Sequence, residues 1–462
     1  MKNIFLFIAV AATACASAQN PAQSTRPVNR ASEWSKSAAL ESKKIDSSKL
    51  VKKTITQEIA LPKALDVLID MGGELIINTW NENKIKLETT VQFEAPSELT
   101  DAEWFDKIGI NMKIFGSTVK VKTRTNSGIT FTSGGGTRTL YSTSYSTSSP
   151  LYNNGNYFNM QRGPVTLYIP AESILEIESK YGRLKIRNNI KSLLLDNTDG
   201  EIEFANIEKL QIRSNRGSFS GGIVTEADVE LSHVRFSLKQ LNKGAVTSNY
   251  STIEIESAKD LKLSSSNDEI DIDDASVFYG VKNYGNLRIN QLTGKLDIQG
   301  INSDIKLRHI SPSAQLVKII NRNADLRLSS NDLSNFSVDI KGSYNKVYSA
   351  FAENTTVDTL TTQEIESIKA MANTATSATR VGKISGDLSD EEKVLVGITG
   401  TTFSQYAGGG KVVVNNVPIT VTGQAIGGNK QNPYLKYSAK IGTGNAPLKY
   451  QIICTSCVID FK

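Results

Sequence analysis

The chain has 462 residues, 39% hydrophobic and 21% charged, which reads as a soluble, folding polypeptide. Against 52 basic and 47 acidic residues the net charge of +5 is slight, and no basic block or aromatic-basic cluster stands out, so nucleic acid is excluded as a partner. The length suits two or three ordinary domains or one elongated repeat array.

The N-terminus, "MKNIFLFIAVAATACASAQN", has Lys2, an apolar run from Ile4 to Ala14 and small residues at 16–18. That pattern predicts a signal peptide over 1–18 with cleavage after Ala18, the run being too short to span a bilayer. Cys15 in "ATAC" offers a rival route, lipoprotein processing, although Ala12 stands where a larger aliphatic residue is usual. Either route exports the protein to the periplasm, the outer-membrane surface or the medium. No later stretch approaches 18 apolar residues, so no transmembrane span is expected. Residues 19–52 are rich in Ser, Lys and Ala without apolar periodicity, and read as a flexible leader.

Residues 53–170 read as an N-terminal β region that leads into a repeat. Its strands are "LIDMGGELIINTW" (68–80), "IKLETTVQF" (85–93), "INMKIFGSTVKVKT" (110–123) and "VTLYIP" (165–170). Within it, 125–163 is a low-complexity Ser/Thr/Gly/Tyr/Asn insert, expected as an exposed, mobile excursion. The first strand resembles an irregular early coil, with Leu75 and Gly73 in the anchor and corner roles defined next.

From 171 to 350 the chain repeats itself. "LEIESKYGRLKIRN" (175–188) and "LLLDNTDGEIEFAN" (193–206) each carry an apolar pair, a polar corner and a second apolar pair. Taking the first apolar residue after each corner as an anchor gives Leu184, Ile202, Phe219, Phe236, Ile253, Ile270, Leu287, Ile305, Leu326 and Val347, at intervals of 17 to 21. Seven residues before the anchors, nine of ten positions are aliphatic, from Ile177 to Ile340. Apolar residues two apart within each pair indicate strand alternation with one buried face. The residues two before the anchor, such as Gly182, Gly200 and Gly217, are mostly small or able to take a left-handed backbone, as a tight bend needs. A unit of this size cannot close a core alone and must stack on its neighbours. The predicted fold is therefore all-β: a single-stack β-solenoid, parallel β-helix-like, with 17–21-residue coils. Ten coils at about 4.8 Å each make a rod of roughly 48 Å. The same register sets Arg183 beside Glu201, Lys185 beside Glu203 and Asp271 beside Arg288.

Residues 351–446 read as a small mixed cap, with one helix at about 361–375 and Gly-rich strands around 396–446. "YQIICTSCVIDF" obeys the coil template again, with Ile459 as anchor and Tyr450, Ile452 and Phe461 at the apolar offsets, so 447–462 is expected as a final coil.

"GGELIINTWNENKIKLET", "VTLYIPAESILEIESKYGRLKI", the G-x-apolar coils and the late "YSAKIGTGNAPLKYQI…CVIDF" resemble the bacterial "putative adhesin" β-solenoid family of envelope proteins, with its head-GIN relatives. The likeness covers roughly 55–350 and the last 30 residues. It implies a cell-envelope adhesion or scaffolding role and supplies no catalytic residues to carry over.

Residues that bear chemistry are few. His233 and His309 are the two histidines, four coils apart, too far to share a metal. Glu254, Glu256, Asp271 and Asp273, with Glu269 and Asp274 nearby, fall on outward positions of adjacent coils. Such carboxylates suit a weak site for a hard cation or acid–base work on a glycan; as a solvated patch they are relieved by Lys259, Lys262 and Arg288. Cys454 and Cys457 in "CTSC" are candidates for a local disulfide in an exported protein, two free thiols being the alternative. Tyr181, Tyr250, Tyr284 and Tyr344 share one corner position, to stack on sugar rings or to pack on one another. The expectation is a non-enzymatic exported envelope protein without a cofactor, presenting a surface to a glycan or protein partner. The alternative is a carbohydrate-active enzyme or glycan-binding protein using the acidic patch.

Overall fold

Apolar residues that alternate within a short run, and recur at a fixed longer interval, satisfy their backbone groups by pairing each run with its own equivalent in the next repeat. The computed structural model of the chain describes residues 50–61, 66–94, 99–124, 128–133, 136–141, 148–153, 156–377, 424–426, 434–443 and 446–462. The expected signal peptide with Cys15, nearly all of the expected leader and most of the Gly-rich stretch 396–446 lie outside them. The chain divides into two units, Met1–Leu50 and Val51–Lys462, and all that follows concerns the second. Strand predominates in it.

Successive windings are parallel and in register. Leu184 faces Ile202, Ile202 faces Phe219, Phe219 faces Phe236 and Phe236 faces Ile253. Beyond the continuous strand Thr252–Gln299, Leu287 faces Ile305 and Ile305 faces Leu326. Every one of the ten anchors is buried. Parallel pairing in this register stacks like on like, so one dry column of aliphatic and Phe side chains runs through the windings.

A third inward column, absent from the sequence reading, lies five or six residues after the anchor: Ile190, Ile207, Val224, Leu241, Ala258, Ala275, Leu292 and Ile310, all buried. It carries the same repeat interval and was legible there. The outward charges pair across windings, with Arg183 Nε 2.9 Å from Glu201, Lys185 Nζ 2.8 Å from Glu203 and Arg288 3.2 Å from Asp271.

The bend itself differs from the expectation. Left-handed backbone falls mainly three residues before the anchor, at His233, Tyr250, Asn267, Tyr284, Asn302, Asn323 and Tyr344, with φ between 50° and 58°. Only at Gly73, Gly200, Gly217 and Gly285 does the position two before the anchor have positive φ. Glycine is needed there for a second reason: a Cβ on Gly182 would lie 2.6 Å from the Gly73 carbonyl oxygen, and one on Gly200 2.5 Å from that of Gly182. Successive corners sit directly on one another's carbonyls.

At the N-terminal end, Asp66–Trp80 is a true winding, with Leu75 facing Leu184 and Gly73 facing Gly182. Its outer edge is covered by two strands distant in sequence, Val119 facing Val67 and Val165 facing Leu75. The 53–170 region also contains a helix where the sequence reading placed only strands: α1, Asp101–Ile108. Its signals are local. Thr100 and Glu103 form a capping box, Gly109 closes the C-terminus at φ 70°, and Trp104, Phe105 and Ile108 are buried. The low-complexity stretch, expected as a mobile excursion, forms antiparallel pairs, Gly128–Ser133 with Gly136–Tyr141 and Ser148–Asn153 with part of Asn156–Pro170. Its Thr and Tyr content suits extended backbone.

At the other end the expected order is corrected. The final coil is not outermost. Leu448–Thr455 and Val458–Phe461 lie between two earlier windings, Ile459 facing Leu326 on one side and Val347 on the other. Ile452 likewise stands between Ile319 and Ile340. An aromatic cluster holds this insertion: Phe336, Phe351, Tyr450 and Phe461 meet edge to face with centroids 5.2–5.7 Å apart. The edge beyond is closed by Tyr434–Ile441, antiparallel to Phe336–Ser343, and then by Thr355–Thr359. Helix α2, Thr362–Ser377, matches the expected helix and opens on a second capping box, Thr361 with Glu364.

Candidate functional site

A left-handed residue at most bends interrupts the ladder and strands its corner peptide groups, which need other partners when buried. The chain supplies them from two inward polar columns that flank the bend. Five before the anchor stand Ser179, Asn197, Ser214, Ser248, Ser265, Lys282 and Asn321; two before it stand Ser251, Asp268 and Ser303; all are buried. Asn197 Nδ2 donates to Ser214 Oγ and to the Arg216 carbonyl, both at 2.9 Å. Asp268 accepts from Ser248 Oγ and Ser265 Oγ at 2.5 Å and from the Ser251 N–H at 2.6 Å. Lys282 donates to the Tyr284 carbonyl, and burial pushes its ammonium down to about pKa 8. Its interval-of-17 spacing from Ser248 and Ser265 was visible in the sequence, but a Ser–Ser–Lys series does not announce itself as interior.

On the outer side of this polar seam lies an open groove of about 1190 Å³. It crosses seven windings, from Glu178 beside Ser179 to Val281 and Asn283. Its rungs include Thr198, Asn215, Ser232, Asn249 and Ser266, each immediately before the corner residue and one winding apart. Parallel register sets such rungs about 4.8 Å from one another. Acidic groups (Glu176, Glu178, Asp196, Glu230) outnumber the single basic one, Arg213, which itself pairs with Glu230 at 3.3 Å.

The corner tyrosines border the groove without forming one stack. Tyr181, Tyr250, Tyr284 and Tyr344 are exposed, but no two occupy neighbouring windings. Asp199, Arg216 and His233 stand between Tyr181 and Tyr250, so the expected packing of tyrosine on tyrosine is replaced by His233 stacked on Tyr250, centroids 5.1 Å apart at 22°. His309 stands apart, 3.4 Å from Asp332. Glu254, Glu256, Asp271 and Asp273 are exposed, Asp271 being tied to Arg288. Among the described residues no three His, Cys, Asp or Glu side chains converge as metal ligands would. Cys454 and Cys457 are joined in a disulfide across the two columns that Ser265 and Asp268 bridge by hydrogen bonding. Among the described residues no helix is long and apolar enough to cross a membrane.

No family model matches the chain, and no curated protein matches it. Among solved structures, a "putative adhesin" from Parabacteroides distasonis ATCC 8503 is 9% identical, covering 56% of this chain and 97% of its own, with a TM-score of 0.31. A "putative lipid binding protein" from the same organism is 14% identical, covering 58% and 94%, with a TM-score of 0.26. Both likenesses are too slight to carry an argument.

Proposed function

We propose that the chain is a single-stack β-solenoid exported to the cell envelope, where it acts without catalysis as an adhesion or scaffolding surface, and that the groove before the corner is its recognition face. The observation that carries this reading is the groove's regularity. Hydroxyl and amide rungs repeat over six windings, from Thr198 to Asn283, on a backbone paired in parallel register. Side chains held at fixed spacing meet a ligand at little ordering cost, which favours an extended, repeating partner. The excess of carboxylates repels polyanions, so an uncharged glycan strand fits best, with Tyr250 and Tyr284 offering ring faces at the border.

The test is binding of the purified protein to immobilised neutral polysaccharides and to isolated envelope. Asn215→Leu with Asn249→Leu, both at exposed rungs, is expected to weaken binding about tenfold with an unchanged melting temperature. Equal binding by the variant removes the groove from the account. Hydrolysis of any of these glycans, lost in Glu254→Ala with Asp271→Ala, replaces this reading by an enzymatic one.

A further inference from the structure

At several windings register sets unlike charges opposite one another, as at Arg183–Glu201, Lys185–Glu203 and Asp271–Arg288. Near the C-terminal end the outward charges are alike. Arg288, Lys306 and Arg327 follow one another in register on the outward position just after the anchor. Like charges directly opposite one another on a sheet destabilise it. Arg288 is relieved by Asp271, whereas Lys306, Arg308 and Arg327 form no ion pair with any described residue.

These three cations line a recess of about 330 Å³ with Ser329 and Lys462, and His309 at its rim. The carboxylates around it form no ion pair with these three cations, although Asp460 stands opposite Arg327 in register. Asp332 faces His309 at 3.4 Å, the buried Asp460 lies 3.6 Å from Lys462, and Asp304 Oδ1 accepts from the Asp325 N–H at 2.8 Å. The Asp325 carboxyl itself is pushed up by burial and by Asp304. The main-chain oxygen of Lys462 accepts from the Ser330 N–H and, at 3.0 Å, from the Asn331 N–H. At Lys306, burial and then the surrounding Arg308, Arg327, Lys462 and Arg288 push the ammonium pKa down, as a cation crowded by cations requires.

We propose that this recess is an oxyanion site that takes a phosphate group, with Arg308 and Arg327 presenting guanidinium forks and Lys306 a point charge. The guanidinium geometry matches a tetrahedral oxyanion, and each such contact is a charge-assisted hydrogen bond. A dianion here would convert a repulsive in-register series into a neutralised one. The site stands apart from the groove in both residues and charge, and does not depend on it.

The experiment is titration of the full chain with inorganic phosphate by calorimetry, at ionic strength held constant with chloride. Wild type is expected to bind saturably, and Lys306→Gln with Arg327→Gln about tenfold more weakly or worse. Arg308→Gln changes one exposed side chain, leaves folding intact, and is expected to weaken binding about threefold or more. Absence of a saturable signal in wild type, or equal binding by all variants, overturns the proposal. Phosphatidylcholine vesicles with and without phosphatidic acid identify the source. Co-sedimentation that needs phosphatidic acid and is lost in the variants assigns the phosphate to a lipid headgroup; phosphate binding without co-sedimentation assigns it to the free anion.

Discussion

Between Leu184 and Leu287 each winding rests on the one just before it in the chain, whereas at the C-terminal end Leu326 rests on Ile459 and Ile459 on Val347. The two regions use the same template, the same buried columns and the same left-handed corner, down to Ser456 at φ 59°. They differ in what must happen before a winding can form. In the middle, closing a loop of one repeat brings partner strands together. At the end, a slot stays open until a segment more than 100 residues further on returns to fill it, and loop-closure entropy precedes any reward from the contacts. Identical local chemistry thus yields a locally determined middle and a non-locally determined end.

The sharpest way to break this comparison is to remove residues 447–462. The slot between Leu316–Arg322 and Phe336–Ser343 then has no occupant, and Phe336 and Phe351 lose Tyr450 and Phe461. Hydrogen exchange is expected to show loss of protection across 336–349 while 184–287 stays protected. Equal loss in both regions makes the whole stack one cooperative unit and dissolves the distinction.

A smaller effect probes the middle. Gly217 has φ 115°, and a Cβ there would press into the Gly200 carbonyl. Gly217→Ala is expected to cost roughly 2–4 kcal/mol in urea unfolding, with the C-terminal end untouched. Normal stability means that the corners do not stack as tightly as drawn.

Lys282 tests the polar seam through pH. Its pKa is about 8 when folded against an ordinary 10.5. Below pH 8 the buried charge opposes folding in full. Between the two values the unfolded chain binds the extra proton, so stability rises with pH, by up to roughly 3 kcal/mol. Tyr437 and Tyr450, whose phenols burial pushes up, act in the opposite sense above about pH 10, so the slope is best read from about pH 8 to 9.5. Lys282→Met is expected to flatten it. A wild type already flat in that window leaves Lys282 without a perturbed charge.

The smallest expected effect is at the surface. Arg183→Ala breaks an ion pair with Glu201 whose partners are both mostly exposed, and is expected to cost less than about 1 kcal/mol. A larger loss gives outward pairs a weight in register that the buried columns do not need.

Much of the winding was legible because its signal is arithmetic. Anchors at 17 or 18 residues with alternating neighbours admit one parallel register, and ion pairs such as Lys185–Glu203 follow from it. Helix α1 was equally local, written in Thr100, Glu103 and Gly109, but it sat in a region read for strands alone. The groove was less legible. Its rungs (Asn215, Ser232, Asn249) are ordinary polar residues, and only stacking turns them into a line. The tyrosines shared a position in the repeat, yet sharing a position does not make them neighbours when His233 or Asn267 intervenes.

By itself the sequence determined which of the anchor and flanking apolar side chains face inward and the interval at which the chain meets itself, because strand alternation and repeat length are properties of consecutive residues. Only the tertiary structure decided where the last winding goes and which outward residues become a groove or a cationic recess. Those depend on which windings are adjacent in space, and Ile459 satisfies the same local template at the rim as between Leu326 and Val347. What settles its place there is the contact of Tyr450 and Phe461 with Phe336 and Phe351, a choice made by packing between residues that no local pattern links.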